Sequence, residues 1–216
     1  GGLRSAAVSF GLFAFLTRSW DAAALGQFAT LFAIFTLLQQ APLLGLHIVI
    51  GRDMAARTVP RARLAVNAAV LSLGVSLLLC AGVIAGGAAL YPPQMLGALR
   101  LMALALVPTA LVDVVESLLW GEERLDTVMA MNLLENLLRV MGCVVVVRMG
   151  LGLTAVWACF LAARILMLAG YQLRGGLRDL WDFSAFDPAA IREFLRICPT
   201  FIGILVTSAS INRVDF

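Results

Sequence analysis

Seven long apolar stretches constrain what this chain can fold into more than any motif does. They cover roughly residues 3–17, 26–50, 64–90, 98–120, 127–147, 151–173 and 197–216. A helix needs about 20 apolar residues to cross a bilayer, whereas a strand of a membrane barrel needs only about 10. Because the stretches are long and rich in Leu and Ala, which favour helices, they predict an all-α polytopic membrane helix bundle.

The composition agrees with a lipid environment. Of the 216 residues, 62% are hydrophobic and 13% are charged, and the mean hydropathy is +0.97. A soluble domain carries about 25% charged residues, and a domain of this size exposes much of its surface to its solvent. The solvent is therefore expected to be largely lipid.

The order of the stretches predicts how the chain is organised. We expect six transmembrane helices within 1–173, which the resemblance described below makes a six-helix lobe, a cytoplasmic linker at 174–196 and the start of a seventh span at 197–216. The sequence begins with Gly1 and stops at Phe216 inside an apolar stretch. We therefore expect it to be the N-terminal fragment of a longer protein.

The distribution of arginine predicts the orientation of the spans. With a cytoplasmic N-terminus, ten Arg residues fall in cytoplasmic segments and only three in external ones. Arg and Lys are enriched in cytoplasmic loops of membrane proteins. The N-terminus is therefore expected to face the cytoplasm.

The linker contains a segment with the pattern of a helix. Asp187 is the N-cap candidate and Pro188 takes the first helical position. Three apolar residues share one face and two basic residues share the other: Ile191, Phe194 and Leu195 against Arg192 and Arg196. The segment is either an amphipathic helix on the inner membrane surface or a cytoplasmic extension of the seventh span.

Charged residues inside the predicted spans are the candidate functional residues. A charge in the bilayer core costs about 2.5–3.5 kcal/mol on insertion scales, so it requires a partner or a wet cavity. Seven such residues occur: Asp113, Glu116, Glu135, Arg139, Arg164, Arg213 and Asp215. Glu116 lies nearest a helix end and is expected to be solvated there.

The fifth span carries a polar stripe. Asn132, Glu135, Asn136 and Arg139 recur at i, i+3, i+4 and i+7, which places them on one helix face. Glu135 and Arg139 also stand in the favourable i,i+4 order for an ion pair. A stripe two turns long is not expected to face lipid.

Three consecutive predicted spans each carry a charged residue at a similar depth in the membrane. Asp113, Glu135 and Arg164 each lie about 12–15 Å from the predicted cytoplasmic end of their helix, at 1.5 Å per residue. Two interpretations stay open. The three charges line one aqueous cavity, or they form an interhelical salt-bridge network that only fixes packing.

The sequence contains no recognisable catalytic motif. It has no phosphate-binding loop, no GxSxG and no metal-ligand spacing, and His47 is its single histidine. We therefore predict no enzyme activity, no catalytic residue, no metal site and no cofactor. The net charge of +3 is small and scattered, which argues against nucleic acid as a partner.

Four short segments together resemble a transporter family. They are Leu16-Thr17-Arg18 to Leu25-Gly26-Gln27-Phe28; Gly45-Leu46 with Gly51-Arg52-Asp53-Met54-Ala55; Leu118-Leu119-Trp120-Gly121-Glu122-Glu123-Arg124; and Pro199 with Asn212-Arg213-Val214-Asp215. Their order is similar to that in the polysaccharide and lipid-linked oligosaccharide flippases, which export O-antigen and exopolysaccharide. These belong to the multidrug/oligosaccharidyl-lipid/polysaccharide exporter superfamily. Trp120 departs from the pattern, because Gln is common there.

The resemblance implies a fold and a cargo. Members have 12 to 14 helices in two six-helix lobes and work by alternating access around a central cavity that is often cationic. The implied cargo is an isoprenoid diphosphate-linked glycan for lipopolysaccharide or other cell-surface polysaccharide synthesis. The implied location is the bacterial inner membrane, with membrane lipid, a polysaccharide polymerase and glycosyltransferases as partners.

The resemblance also implies roles for residues in the spans. The expected substrate-binding residues are Arg139, Arg164, Arg213, Asn132 and Asn136. The expected ion-coupling residues, for a proton or a sodium ion, are Asp113, Glu135 and Asp215.

Two other functions stay open. One is a cation-coupled multidrug or metabolite antiporter of the same superfamily, with a more acidic or aromatic cavity. The other is a structural membrane protein without transport, in which the charge cluster would be dry and fully paired.

Overall fold

The structure, a computed structural model, describes residues 20–42, 45–56 and 59–196. The predicted first and seventh spans, with Arg213 and Asp215, lie outside these residues. The helices are α1 (Ala22–Leu38), α2 (Leu46–Ala56), α3 (Arg61–Leu90), α4 (Pro93–Gly121), α5 (Leu125–Arg148), α6 (Leu153–Leu173) and α7 (188–196). Two short 3₁₀ turns, Arg178–Trp181 and Phe183–Ala185, lie between α6 and α7. The described part has no strand, which confirms the all-α prediction.

Four of these helices, α3 to α6, are long and apolar enough to cross a membrane. The shortest, α6, has 21 residues and is therefore about 32 Å long, close to the roughly 30 Å hydrocarbon core of a bilayer. Their bounds lie close to those of the third to sixth predicted spans. The chain is thus a multi-pass membrane helix bundle.

The predicted second span is wrong as a single helix. α1 ends at Leu38, a turn follows, and α2 begins at Leu46. Two residues account for the break: Pro42 has no N–H to donate to a helix, and Gly45 has φ 80°, a left-handed conformation that favours glycine. The hydroxyl of Ser72 on α3 donates to the carbonyl oxygen of Pro42 at 3.0 Å and holds the break in place.

α4 lies at the centre of the described bundle. It packs most extensively against α3 and α6, and also contacts α1, α2 and α5. Small residues allow close approach at both ends. A Cβ on Gly87 of α3 would lie 2.1 Å from Leu99 Cδ2, and a Cβ on Gly121 would lie 2.7 Å from Met54 Cβ of α2. α4 therefore sets the positions of the other helices.

The linker after α6 folds back onto the bundle. Leu177, Leu180 and Phe194 are buried in the apolar cluster that surrounds the C-terminal half of α4. α7 begins as predicted, with the Asp187 carboxylate accepting a hydrogen bond from the Ala189 N–H at 2.9 Å. Leu195 departs from the expected apolar face, because it is exposed. Contact of α7 with the membrane surface stays a prediction.

Polar contacts from the start of α3 hold the linker. Arg61 pairs with Glu122 at 2.7 Å and also with Asp179 of the linker, and Arg63 pairs with Asp187. These pairs join the ends of α3 and α4 to the segment that leads away from α6. One end of the bundle is therefore closed by charges from three parts of the chain.

Asn67 is the buried polar centre of this attachment. It is fully buried, its amide nitrogen donates to Arg63 O at 2.7 Å, and its carbonyl oxygen accepts from Asp187 N at 3.0 Å. A buried group left without its partner loses about 1–3 kcal/mol. Asn67 therefore couples the conformation of the linker to α3.

Replacing Asn67→Ala is expected to loosen the linker, because the Asp187 N–H loses its acceptor. The expected cost is about 1–3 kcal/mol, measured as faster hydrogen exchange of residues 177–196. Ser76→Ala is the matched control, since Ser76 is also fully buried on α3 but bonds only to Leu73 O within the helix. Equal exchange in the linker of both variants would contradict the role of Asn67.

The stability of the attachment between the linker and α3 should also depend on pH. The Ala189 N–H, and then Arg63, hold the pKa of Asp187 below its ordinary value. A lowered pKa means that the stabilisation is fully present above the ordinary Asp pKa and is lost as pH falls through the lowered one. Hydrogen exchange of α7, corrected for its intrinsic pH dependence, should show this loss in acid. Asp187→Asn should abolish the transition, and a transition that persisted would exclude Asp187 as its source.

Candidate functional site

A buried carboxylate on α5 is the centre of the candidate site. Glu135 is 1% exposed, and two arginines approach the same oxygen. Arg139 Nη2 lies 3.2 Å from Glu135 Oε1, and Arg164 Nε of α6 lies 3.1 Å from it. The expected i,i+4 pair is present, and a second helix adds a third charge at the same level. We call Glu135, Arg139 and Arg164 the triad.

Two glycines let α5 and α6 approach on either side of the triad. A Cβ on Gly142 would lie 3.2 Å from the Cys159 sulfur, and a Cβ on Gly170 would lie 2.5 Å from Met131 Cε. At Gly142 a larger residue would be tight against Cys159, and at Gly170 it would displace the flexible end of Met131. The close approach brings the α6 guanidinium within reach of the α5 carboxylate.

Arg139 has further partners that hold its side chain. Its Nη2 donates to Asn136 Oδ1 at 3.0 Å, and its guanidinium carbon lies 5.4 Å from the centre of the Phe160 ring. The ring face attracts a cation at this distance. Asn136 therefore orients a triad residue, as a member of the predicted stripe.

The triad is paired in charge but not saturated in hydrogen bonds. Among the described residues, Glu135 Oε1 and Oε2, Arg139 Nε and Arg164 Nε have no partner in hydrogen-bond geometry. Two guanidinium groups share this one carboxylate, and the charge of Arg164 also acts on Asp113 and Glu116. A buried cluster of this kind can accept an anion, and it can equally fix the packing of the helices, so both interpretations stay open.

Glu116 has a partner on α6 that its position in the sequence does not predict. It is partly buried, and the Tyr171 hydroxyl of α6 donates to its Oε1 at 3.1 Å. Tyr171 itself is 1% exposed. The contact arises because α6 packs on this end of α4, which hydropathy along a single helix does not reveal.

A cleft of about 270 Å³ opens beside Glu116. Its lining residues come from α2 and α4: His47, Asp113, Glu116, Ser117 and Trp120. The volume exceeds the roughly 30 Å³ that a water molecule occupies in the liquid, so several waters or a small ligand group would fit. Two carboxylates make the cleft acidic.

Arg164 links the cleft to the triad. Its positive charge acts on Asp113 and Glu116 as well as on Glu135. The structure therefore gathers the predicted Asn132, Asn136, Arg139, Arg164, Glu135 and Asp113 into one polar region between α4, α5 and α6.

Residues not predicted as site residues also belong to this region. Tyr171, Ser117 and Trp120 have no distinctive sequence signal, although Tyr171 and Glu116 could have been paired from their similar distance to the ends of α6 and α4. No group of three His, Cys, Asp or Glu side chains in the described ranges is arranged to hold a metal ion.

Comparisons of the chain with models of protein families, with curated proteins and with solved structures found no match. The resemblance to the flippases therefore stays a prediction. Function is inferred from the polar region itself.

Glu135→Gln is expected to destabilise the bundle, because Arg139 and Arg164 would face each other without the shared carboxylate. Removing one partner of a buried ion pair costs about 3–5 kcal/mol, measured as a change in the free energy of unfolding in detergent. Glu123→Gln, in the exposed turn between α4 and α5, is the control.

A variant that lacks all three charges of the triad separates the effect of charge on stability from the effect of packing. Glu135→Gln together with Arg139→Met and Arg164→Met removes all three charges and is expected to recover most of the lost stability, because apolar replacement of a buried cluster is often neutral. Equal stability of Glu135→Gln and the original protein would contradict the paired triad.

Proposed function

We propose that this chain is part of a membrane transporter that flips isoprenoid diphosphate-linked oligosaccharides for cell-surface polysaccharide synthesis by alternating access. The observation that carries the proposal is the convergence of Arg139 and Arg164 on one oxygen of the buried Glu135. Two guanidinium groups that share one carboxylate form a positively charged site. Another anion can take the place of the carboxylate there.

The depth of the triad suits a transported head group. Glu135 lies ten residues after Leu125, the first residue of α5, which corresponds to about 15 Å. This is near the middle of a hydrocarbon core of about 30 Å. Alternating access requires a binding site at mid-depth, because the site must open to either side in turn.

The chemistry of the triad suits a diphosphate. Each guanidinium presents donors in a planar fork that matches two phosphate oxygens. In the absence of cargo, Glu135 holds both side chains in place. When the diphosphate takes up the arginine donors, Glu135 loses its partners, and a coupling cation can then offset its buried charge.

The proposed coupling uses the acidic cleft. Asp113 and Glu116 line it, and the positive charge of Arg164 acts on both. We assign Asp113 and Glu135 as coupling residues, for a proton or alternatively a sodium ion. Asn136 orients Arg139, and Asn132 and Asn136 are further proposed contacts of the cargo.

The acidic cleft favours a second candidate. A cation-coupled antiporter of organic cations would use the two carboxylates and the ring of Trp120, which is 61% exposed, because aromatic faces and carboxylates both attract cations. The two candidates differ in which side chains touch the cargo: the arginines of the triad or the carboxylates of the cleft.

On the flippase proposal, the protein lies in a bacterial inner membrane with its N-terminus in the cytoplasm. Its partners are the membrane lipid, a polysaccharide polymerase and the glycosyltransferases that build the glycan. Ten Arg residues in the predicted cytoplasmic segments support this orientation.

Transport by the full-length protein in proteoliposomes tests the proposal. Arg139→Gln and Arg164→Gln are each expected to slow translocation of an isoprenoid diphosphate-linked oligosaccharide about 10- to 100-fold, because each removes charge-assisted hydrogen bonds worth about 1.5–3 kcal/mol. Arg100→Gln and Arg148→Gln are the controls, since both arginines are exposed and lie near the opposite end of the bundle.

Three outcomes would decide against the proposal. Undiminished translocation after charge reversal, Arg139→Glu with Arg164→Glu, would remove the arginines from the transport site. Undiminished translocation by the variant without the three charges (Glu135→Gln, Arg139→Met and Arg164→Met) would mean that the triad only fixes the packing of the helices. Movement of an organic cation, lost in Asp113→Asn but kept in Arg139→Gln, would favour the antiporter.

A further inference from the structure

The linker exposes aromatic side chains that no described part of the chain covers. Trp181 is 62% exposed, Phe183 is 64% exposed and Phe186 is 43% exposed. They lie in or beside the two 3₁₀ turns, whose other side is anchored by the buried Leu177 and Leu180. The linker is therefore fixed on the bundle with its aromatic residues outward.

The position of the linker is at the level of the membrane surface. α6 has a length close to the hydrocarbon thickness and ends at Leu173, which is 90% exposed. The linker starts at the next residue and is paired to Arg61 at the start of α3 and, through Arg61, to Glu122 beyond the end of α4. The linker thus begins where the membrane-spanning part of α6 ends.

The ion pairs of the linker change the charge that it presents. Its four acidic residues are Asp179, Asp182, Asp187 and Glu193, of which Asp179 pairs with Arg61 and Asp187 with Arg63. Arg61 also contacts Glu122, whose charge is balanced by Arg124 as well. Four exposed arginines have no ion pair within the described ranges: Arg174, Arg178, Arg192 and Arg196. Four positive charges against two remaining negative ones give the outward surface a positive balance.

We propose that this surface, formed by Trp181, Phe183 and Phe186 with the four exposed arginines, binds the anionic head groups of the adjoining membrane leaflet. Trp and other aromatic rings favour the head-group level of a bilayer, and basic residues beside a span are attracted to anionic lipids. The two sets of side chains occur together on a segment held at that level. The surface is independent of the triad and of the proposed transport.

The attachment of the linker to α3 explains how lipid binding and linker docking affect each other. Since Arg61 and Arg63 take up Asp179 and Asp187, the docked linker is the form that anionic lipid prefers. Release of the linker would return two negative charges to this surface. Lipid binding and docking of the linker therefore reinforce each other.

Fluorescence of Trp181 in vesicles tests the proposal. The full chain is reconstituted into phosphatidylcholine alone or mixed with phosphatidylglycerol, with lipids brominated near the head group as quenchers. The difference between the original protein and Trp181→Phe isolates the emission of Trp181. We expect quenching by the brominated lipids, about twofold stronger with the anionic lipid.

Charge variants test the role of the arginines. Arg174→Gln with Arg178→Gln is expected to remove the dependence on phosphatidylglycerol. Arg100→Gln with Arg148→Gln, which lie on exposed surface near the other end of α4 and α5, should retain it. A second probe, Phe186→Trp in the Trp181→Phe background, should respond in the same way and guards against a local effect of one substitution.

Three results would overturn the proposal. Quenching of Trp181 by aqueous iodide but not by brominated lipid would place the surface in water. Protection from both quenchers would mean that protein covers it. Equal quenching with and without phosphatidylglycerol would mean that the aromatic residues insert without recognition of anionic head groups.

Discussion

Glu135 carries its charge at mid-depth of the bundle, where neither lipid nor bulk water can solvate it. The other features of the site depend on this constraint. α6 supplies Arg164 at the level of the carboxylate, α5 supplies Arg139 one turn later, and Gly142 and Gly170 lie where the two helices approach. The two arginines share one carboxylate oxygen and can also pair with another anion. This is the physical basis of the proposed transport.

α4 connects the triad to the membrane surface. It carries Glu116, which accepts a hydrogen bond from Tyr171 of α6, and Asp113, on which the charge of Arg164 acts. At its C-terminal end, Gly121 lets α2 approach, and the turn beyond it contributes Glu122 to Arg61. The cleft, the polar region and the linker thus share one central helix. A change in how α4 packs would be transmitted to all three.

The linker shows how ion pairs determine the character of a surface. By composition, it carries as many acidic as basic residues and would have no preference for an anionic membrane. Arg61 and Arg63 of α3 pair with Asp179 and Asp187, which leaves the arginines and the aromatic residues facing outward. In α7, Ile191 and Phe194 pack inward on the bundle, whereas Arg192 and Arg196 are exposed.

Hydropathy alone determined that this is an all-α membrane protein and placed α3 to α6, because long apolar runs leave no other way to satisfy the backbone in lipid. The helical period also placed Glu135 beside Arg139. Only the tertiary structure decided that Arg164 shares the same carboxylate and that Tyr171 covers Glu116. It also decided that the predicted second span breaks between Leu38 and Leu46. These outcomes depend on which helices are neighbours and how closely they approach, and a pattern along one helix does not contain that information.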